Sequence, residues 1–261
     1  MSMIGRTENI KALQALVERP ALARGAQEIF APLGHGPADT VLRGGIRRGC
    51  LHEVFAAGAG QEAAASGFAL AMAARVLTHR KWLLWVRQDF SAFEAGEIHG
   101  AGLLELGIDP SRVLSFRAPN ATSALRAGAE GLDCKGLGAV IVEPWGEPKV
   151  FDLIASRRLT LAAQQHGVTA IVLRCNAGLQ ASTAETRWLV KSASSPPGED
   201  DWGRPRFDAA LVRNRHGNCG QWIMEWDCNN GLFSEAHSQR LAAAASDLPA
   251  ETPLAGLRQA G

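Results

Sequence analysis

The stretch Gly58-Ala-Gly-Gln-Glu-Ala-Ala-Ala-Ser66 follows an apolar run and opens an alanine-rich segment. That is where a phosphate-binding loop stands: glycines let backbone N–H groups surround an anion, and the helix that follows adds its positive end. Such a loop also needs a closing glycine, a lysine for the outer phosphates and a hydroxyl for magnesium. Counted from Gly58 and Gly60, those positions hold Ala63, Ala64 and Ala65. Slipping the register by one residue recovers a hydroxyl at Ser66 but no lysine, and none occurs between Lys11 and Lys81. Each charge-assisted hydrogen bond is worth about 1.5–3 kcal/mol, so losing several weakens nucleotide binding by orders of magnitude. Glu62 adds a negative charge beside the expected phosphate. The loop keeps its shape and loses its electrostatics.

Two acids stand where such a site would use them. Glu143 follows the apolar run Ala139–Val142, the place of a magnesium-orienting carboxylate, and Asp89 lies just beyond Trp82–Val86, the place of a water-activating acid. With no phosphate clamp, both read better as loop residues or helix caps than as catalytic acids, and no bound cofactor is expected. His52, His99 and His166 have no metal-ligand spacing, and no Ser–His–Asp or Cys–His arrangement is recognisable. The five cysteines, Cys50, Cys134, Cys175, Cys219 and Cys228, contain no CxxC pair. An odd count is a poor disulfide framework, and small buried thiols suit a reducing cytoplasm. Trp145, just after Glu143 and Pro144, is the one tryptophan placed as a site residue; the others fall in or beside apolar runs, as core aromatics do.

A second constellation is basic. Arg204, Arg206, Arg213 and Arg215, opposed only by Asp208, give a local charge of +3 between residues 204 and 217, with Trp202 and Trp222 near in sequence. Arginine with aromatic side chains is the chemistry of single-stranded DNA binding. The competing readings are an edge strand whose charged face discourages aggregation, which the alternation favours, and a surface for a partner protein.

Composition bounds the rest. The chain has 261 residues, 46% hydrophobic and 20% charged, with 27 basic against 26 acidic side chains. That is enough to bury a full core, and the net charge of +1 argues against general binding of polyanions. No apolar run reaches the length needed to cross a bilayer, and the N-terminus lacks the apolar centre of a signal peptide. Residues 1–38 read as an amphipathic helical arm, with Ile10, Leu13, Leu16 and Val17 at helical steps, followed by a Pro- and Gly-punctuated linker. Residues 39–235 alternate short apolar runs with helical stretches: Leu51–Phe55, Glu62–Leu77, Trp82–Val86, a helix opened by Ser91 and Glu94, Val113–Phe116, a helix capped by Asn120, Ala139–Val142, Val150–Ala163 and Thr169–Leu173. This is the pattern of βαβ units and a parallel sheet. After Leu173 three runs without helices, Trp188–Ser192, Phe207–Asn214 and Gln221–Trp226, predict antiparallel edge strands. Residues 236–261 read as a flexible tail.

In order and spacing these elements resemble the RecA recombinase and its relatives. Leu42–Ala56 (LRGGIRRGCLHEVFA) is similar to the segment leading to that family's phosphate loop. Trp82–Asp89 (WLLWVRQD) is similar to the strand carrying its catalytic acid, with Asp89 as counterpart. Gly138–Pro144 (GAVIVEP) resembles the magnesium-site strand, with Glu143 where an aspartate is usual, and Thr169–Asn176 (TAIVLRCN) resembles the nucleotide-sensor strand, with Arg174 and Cys175 in place of the sensor glutamine. The resemblance covers residues 40–192.

Among RecA-like chains without a usable phosphate loop, the C-terminal third is most similar to the ImuA family, through Glu185–Ser195 (ETRWLVKSASS) and Arg206–Asp227 (RFDAALVRNRHGNCGQWIMEWD). That resemblance implies an accessory protein of DNA-damage-induced (SOS) translesion synthesis. It implies a cytoplasmic location at the nucleoid during damage and action with ImuB, RecA and an error-prone C-family polymerase, and the loop without its lysine points to no ATPase activity. By analogy with RecA, Ile10, Leu13, Leu16 and Val17 would dock on a RecA subunit or on another copy of this chain. The alternatives are a SulA-like inhibitor of cell division and a RecA-like ATPase with an atypical nucleotide site.

Overall fold

The computed structural model describes residues 29–77, 81–195 and 203–236. The arm residues Ile10, Leu13, Leu16 and Val17, together with Trp202 and the C-terminal segment from residue 237, lie outside the described residues. The described chain opens with Phe30–Ala31 (β1), Gly36–Val41 (α1) and Ile46–Arg47 (β2), and β1 pairs antiparallel with β2. Over this part, the stretch expected as a linker is packed: Ala31 and Leu33 are wholly buried, and Asp39 accepts the Leu33 and Gly34 N–H groups at 2.7 and 2.9 Å.

The body alternates strand and helix. Leu51–Ala56 (β3), Glu62–Val76 (α2), Trp82–Gln88 (β4), Asp89–Ala95 (α3), Gly100–Glu105 (α4) and Val113–Ala118 (β5) come first. Ala121–Leu132 (α5), Leu137–Glu143 (β6), Leu153–His166 (α6) and Thr169–Arg174 (β7) follow, and then Thr186–Ser192 (β8), Arg206–Asn214 (β9), Gly220–Asp227 (β10) and Leu232–Glu235 (β11). Nine strands form one sheet in the order β11-β10-β9-β8-β3-β7-β6-β4-β5. The six strands from β8 to β5 run parallel, and β9, β10 and β11 add antiparallel pairs. The molecule is therefore an α/β protein with a mostly parallel sheet flanked by helices and an antiparallel edge.

Apolar runs became strands because both faces of the sheet are covered. Helix α2 packs on one face with Val54, Trp85, Ile141 and Leu173, while α5 and α6 cover the other, over Val86, Val140, Val142 and Val172. The sheet curls around α2, so that Phe68 of this helix meets Trp188, Phe207 and Phe233 with ring centres 5.3, 5.7 and 5.2 Å away. Strand β3 is tied to β8 by a polar chain: Trp188 Nε1 donates to Thr186 Oγ1 at 3.1 Å, and that hydroxyl lies 2.8 Å from His52 Nδ1. His52 Nε2 lies 2.9 Å from the Arg47 carbonyl, an acceptor only, so this nitrogen carries the proton.

Local chemistry sets the helix starts. Asn120 accepts from Ser123 N at 2.9 Å, as its position predicts. Helix α6 begins at Leu153 and not at Val150, because Asp152 caps Ala155 N at 2.8 Å. The helix expected from a Ser91–Glu94 capping box starts instead at Asp89, and the Ser91 hydroxyl donates to the Glu143 carbonyl at 3.3 Å.

Candidate functional site

The carboxyl ends of the parallel strands carry the residues singled out for nucleotide chemistry. The loop between β3 and α2 is Ala57–Gln61, with Gly58 and Gly60 at φ 146° and 79°, a backbone only glycine adopts readily. It is pinned at both ends. Ala57 N donates to the Val190 carbonyl at 2.8 Å, and Gln61 Oε1 accepts from Ser192 N at 2.7 Å and Ser192 Oγ at 3.1 Å. Helix α2 is already under way at Glu62, so Ala63, Ala64 and Ala65 are its next residues. Ala65 is fully buried, so the position counted for the magnesium hydroxyl belongs to the core.

Glu143 ends β6 on the α2 side of the sheet, fully buried, in register with Arg87 of β4. The Arg87 guanidinium donates to both carboxylate oxygens, at 2.7 Å from Nε and 3.2 Å from Nη2, and Trp85 Nε1 adds a third bond at 2.9 Å. A further Arg87 nitrogen donates to the Gly96 carbonyl at 2.8 Å. A carboxylate held by three donors has its charge balanced inside the protein. Nothing in the sequence reading singled out Arg87. Its signal was positional: Arg87 and Glu143 stand at the carboxyl ends of two hydrophobic strands, β4 and β6, that the fold places side by side.

Asp89 stands apart from this pair. It opens α3, half-exposed, and accepts from Arg117 of β5 at 3.1 Å; the same arginine also bonds Glu97. An acid in a first helical turn is favoured by the helix dipole alone. Trp145 is half-buried, with its backbone N–H donating to Gln88 Oε1 at 3.1 Å and its ring 5.5 Å from the exposed Phe90, which in turn lies 6.2 Å from the exposed Phe93.

The two residues at the sensor position part company. Cys175 faces α2, where burial first and then the negative charges of Glu143 and Glu62 push its thiol up to about 12. Arg174 turns to the opposite face, its guanidinium 4.7 Å from the Phe151 ring and 5.5 Å from the Phe55 ring, with Nη2 3.4 Å from the Gly146 carbonyl. Neither Arg87 nor Arg174 reaches into the glycine loop as a substitute for its lysine. Among the described residues no group of histidines, cysteines and acids could hold a metal ion.

The four arginines of the basic constellation divide. Arg204 lies 3.2 Å from Asp227 and 3.6 Å from Glu225, and Arg206 lies 2.7 Å from Glu225, so the start of β9 is neutralised by β10. Arg213 and Arg215 stand at the other end of β9, roughly 23 Å away at a strand's rise per residue. Arg213 donates to the Ser182 carbonyl at 3.0 Å, and Arg215 is exposed beside Glu185. Trp222 does not lie open for base stacking; it is half-buried against Trp188 and His35, with ring centres 6.2 Å away in both cases.

No protein-family model matches the chain. Two curated relatives do: Protein ImuA of Caulobacter vibrioides strain NA1000 / CB15N and Protein ImuA of strain ATCC 19089 / CIP 103742 / CB 15. Each is 32% identical over 197 residues, which span 70% of this chain and 77% of the relative. Identity at that level, over most of both chains, together with the sheet described above, shows that the chain belongs to the ImuA family.

Proposed function

We propose that this chain is a non-catalytic, RecA-like accessory protein of the damage-induced mutasome. In this reading it supports error-prone translesion synthesis with ImuB and an error-prone C-family polymerase, and it links them to RecA in the cytoplasm, at the nucleoid. The observation that carries the non-catalytic part is the state of the carboxyl end. Glu143, the acid placed to orient magnesium, is spent on Arg87 and Trp85, and the lysine position is Ala64, inside a helix. A phosphoryl-transfer site works by placing cations and metal against developing negative charge. Here the loop presents Glu62 and no cation. The parallel body then acts as a rigid platform for protein contacts.

Co-purification of the full chain with ImuB and with RecA, run alongside an ATP-hydrolysis assay, tests this. The reading expects a stable complex with ImuB and no hydrolysis above background. Failure to retain ImuB or RecA would remove the accessory role, and magnesium-dependent turnover would remove the non-catalytic one. Deleting residues 1–30 is expected to weaken RecA capture or self-association, through loss of Ile10, Leu13, Leu16 and Val17.

A further inference from the structure

The fold gathers positive charge at the end of the sheet opposite the glycine loop. The segments 43–48 (RGGIRR) and 213–216 (RNRH), with Arg75 and Lys81, are far apart in sequence. The first leads into β3 and the second closes β9 beside the start of β8, while Arg75 lies in the last turn of α2 and Lys81 just before β4, so all of them stand where the parallel strands begin. There a pocket of about 150 Å³ is lined by Arg43, Arg47, Glu185, Asn214 and His216, among others. Glu185 organises it, 3.7 Å from Arg47 and 3.1 Å from His216. Arg215 donates its backbone N–H to the Glu185 carbonyl at 2.9 Å, and its charge, with those of Arg47 and Glu185, reaches the buried Cys50 thiol.

We infer that this amino end is a nucleic-acid binding face, in which Arg43, Arg47, Arg215 and His216 hold the phosphate backbone of a single strand. The inference goes beyond the accessory role and does not rest on it. Arg43 and Arg215 are exposed and have no ion-pair partner among the described residues, while one carboxylate, Glu185, serves Arg47 and His216 together. Other acids at this end are engaged elsewhere: Asp39 near Arg75, Asp133 against His166 at 3.4 Å, Asp109 against Arg112 at 3.6 Å, and Glu130 against Arg126 at 3.0 Å. Arg43 is held in place as the left-handed residue, φ 58°, of the cap that ends α1: Gly44 N donates to the Asp39 carbonyl at 2.8 Å and Arg43 N to the Thr40 carbonyl at 3.1 Å. The turn beneath it is rigid: at Gly45 a Cβ would fall 2.1 Å from the Ala31 carbonyl oxygen.

The charge does not converge on one point, as recognition of a small phosphate requires. It runs on from Arg47 to Arg48, which bonds the Arg75 and Val76 carbonyls and whose charge is felt by Arg75 and Lys81. A row of cations with one pocket matches a polymer of phosphates, each contact releasing counterions.

Fluorescence anisotropy with labelled oligo-dT, titrated at several salt concentrations, tests the face. The intact chain is expected to bind with a steep salt dependence. The Arg43→Glu/Arg215→Glu variant is expected to bind about tenfold more weakly or worse, with the salt slope reduced by about two, one per cation removed. Arg43→Gly, which suits the positive φ, is expected to fold normally and to lose about one unit of slope. The control Arg157→Glu/Arg158→Glu, on the exposed side of α6, is expected to leave binding unchanged. Absence of binding by the intact chain, an unaltered slope in the double variant, equal loss in the control, or a mononucleotide bound as tightly as the oligomer would each overturn the inference.

Discussion

Arg87 and Glu143 stand opposite each other on neighbouring parallel strands, joined at 2.7 and 3.2 Å in a pocket closed to solvent. A buried pair of this kind stabilises little in net terms, because desolvation offsets the attraction, but a lone survivor is costly. Arg87→Met and Glu143→Gln alone are each expected to destabilise the chain by about 3–5 kcal/mol, whereas Arg87→Met with Glu143→Leu is expected to come within about 1–2 kcal/mol of the parent. Urea unfolding of the three variants checks this. Additive losses in the double variant would mean that the two groups do not act as a pair.

Stability is expected to fall as the solution is acidified below neutrality. Burial lowers the pKa of His52 below its ordinary 6.5, against the raising influence of the Arg47 carbonyl and Glu185. Burial also lowers His35, against Glu235 and Asp39. With folded values depressed, the unfolded chain binds more protons between those values and 6.5. The stability is therefore fully present above 6.5 and is lost as pH drops towards the folded values. Denaturant midpoints measured from pH about 7.5 to about 5 should show the fall, and His52→Gln should flatten it. A midpoint that rises on acidification would contradict the assignment.

The cysteines are expected to separate by access. Cys219 is exposed, whereas Cys50 and Cys175 are buried, with thiols pushed up, Cys175 to about 12. Iodoacetamide at mildly alkaline pH should modify Cys219 in the native chain, and should reach Cys50 and Cys175 only after unfolding, because the thiolate is the nucleophile. Mass spectrometry of the digested protein reads the sites. Native modification of Cys175 would show that the carboxyl end opens.

The ring cluster around Phe68 ties α2 to β8, β9 and β11. Phe68→Ala is expected to cost about 3–5 kcal/mol, the usual loss for a large buried aromatic. Thermal unfolding checks it. A loss below about 1 kcal/mol would mean that the antiparallel edge does not depend on this helix.

The parallel core was readable because its strands are buried on both faces and so appear as unbroken apolar runs: Trp82–Val86, Ala139–Val142 and Thr169–Leu173 each lie within an observed strand. Elements made by tertiary contact were not readable. Strands β1 and β2 are two residues each, and β11 carries no alternation of its own; Leu33 of the segment after β1 pairs with Phe233 of β11 through a 2.9 Å backbone bond. The missing lysine was legible at Ala64, since a cation at fixed spacing is a local signal. Arg87 was not, because only strand order brings it to Glu143. The arginines from Arg204 to Arg215 read as one patch by their nearness in sequence, and an extended strand then separated them.

The most direct test of the account is calorimetric titration of the purified full chain with ATP and magnesium. A loop that presents Glu62 and no lysine, beside a Glu143 already neutralised by Arg87, predicts no saturable heat up to millimolar nucleotide. Micromolar, magnesium-dependent binding that is abolished by chelation would contradict it.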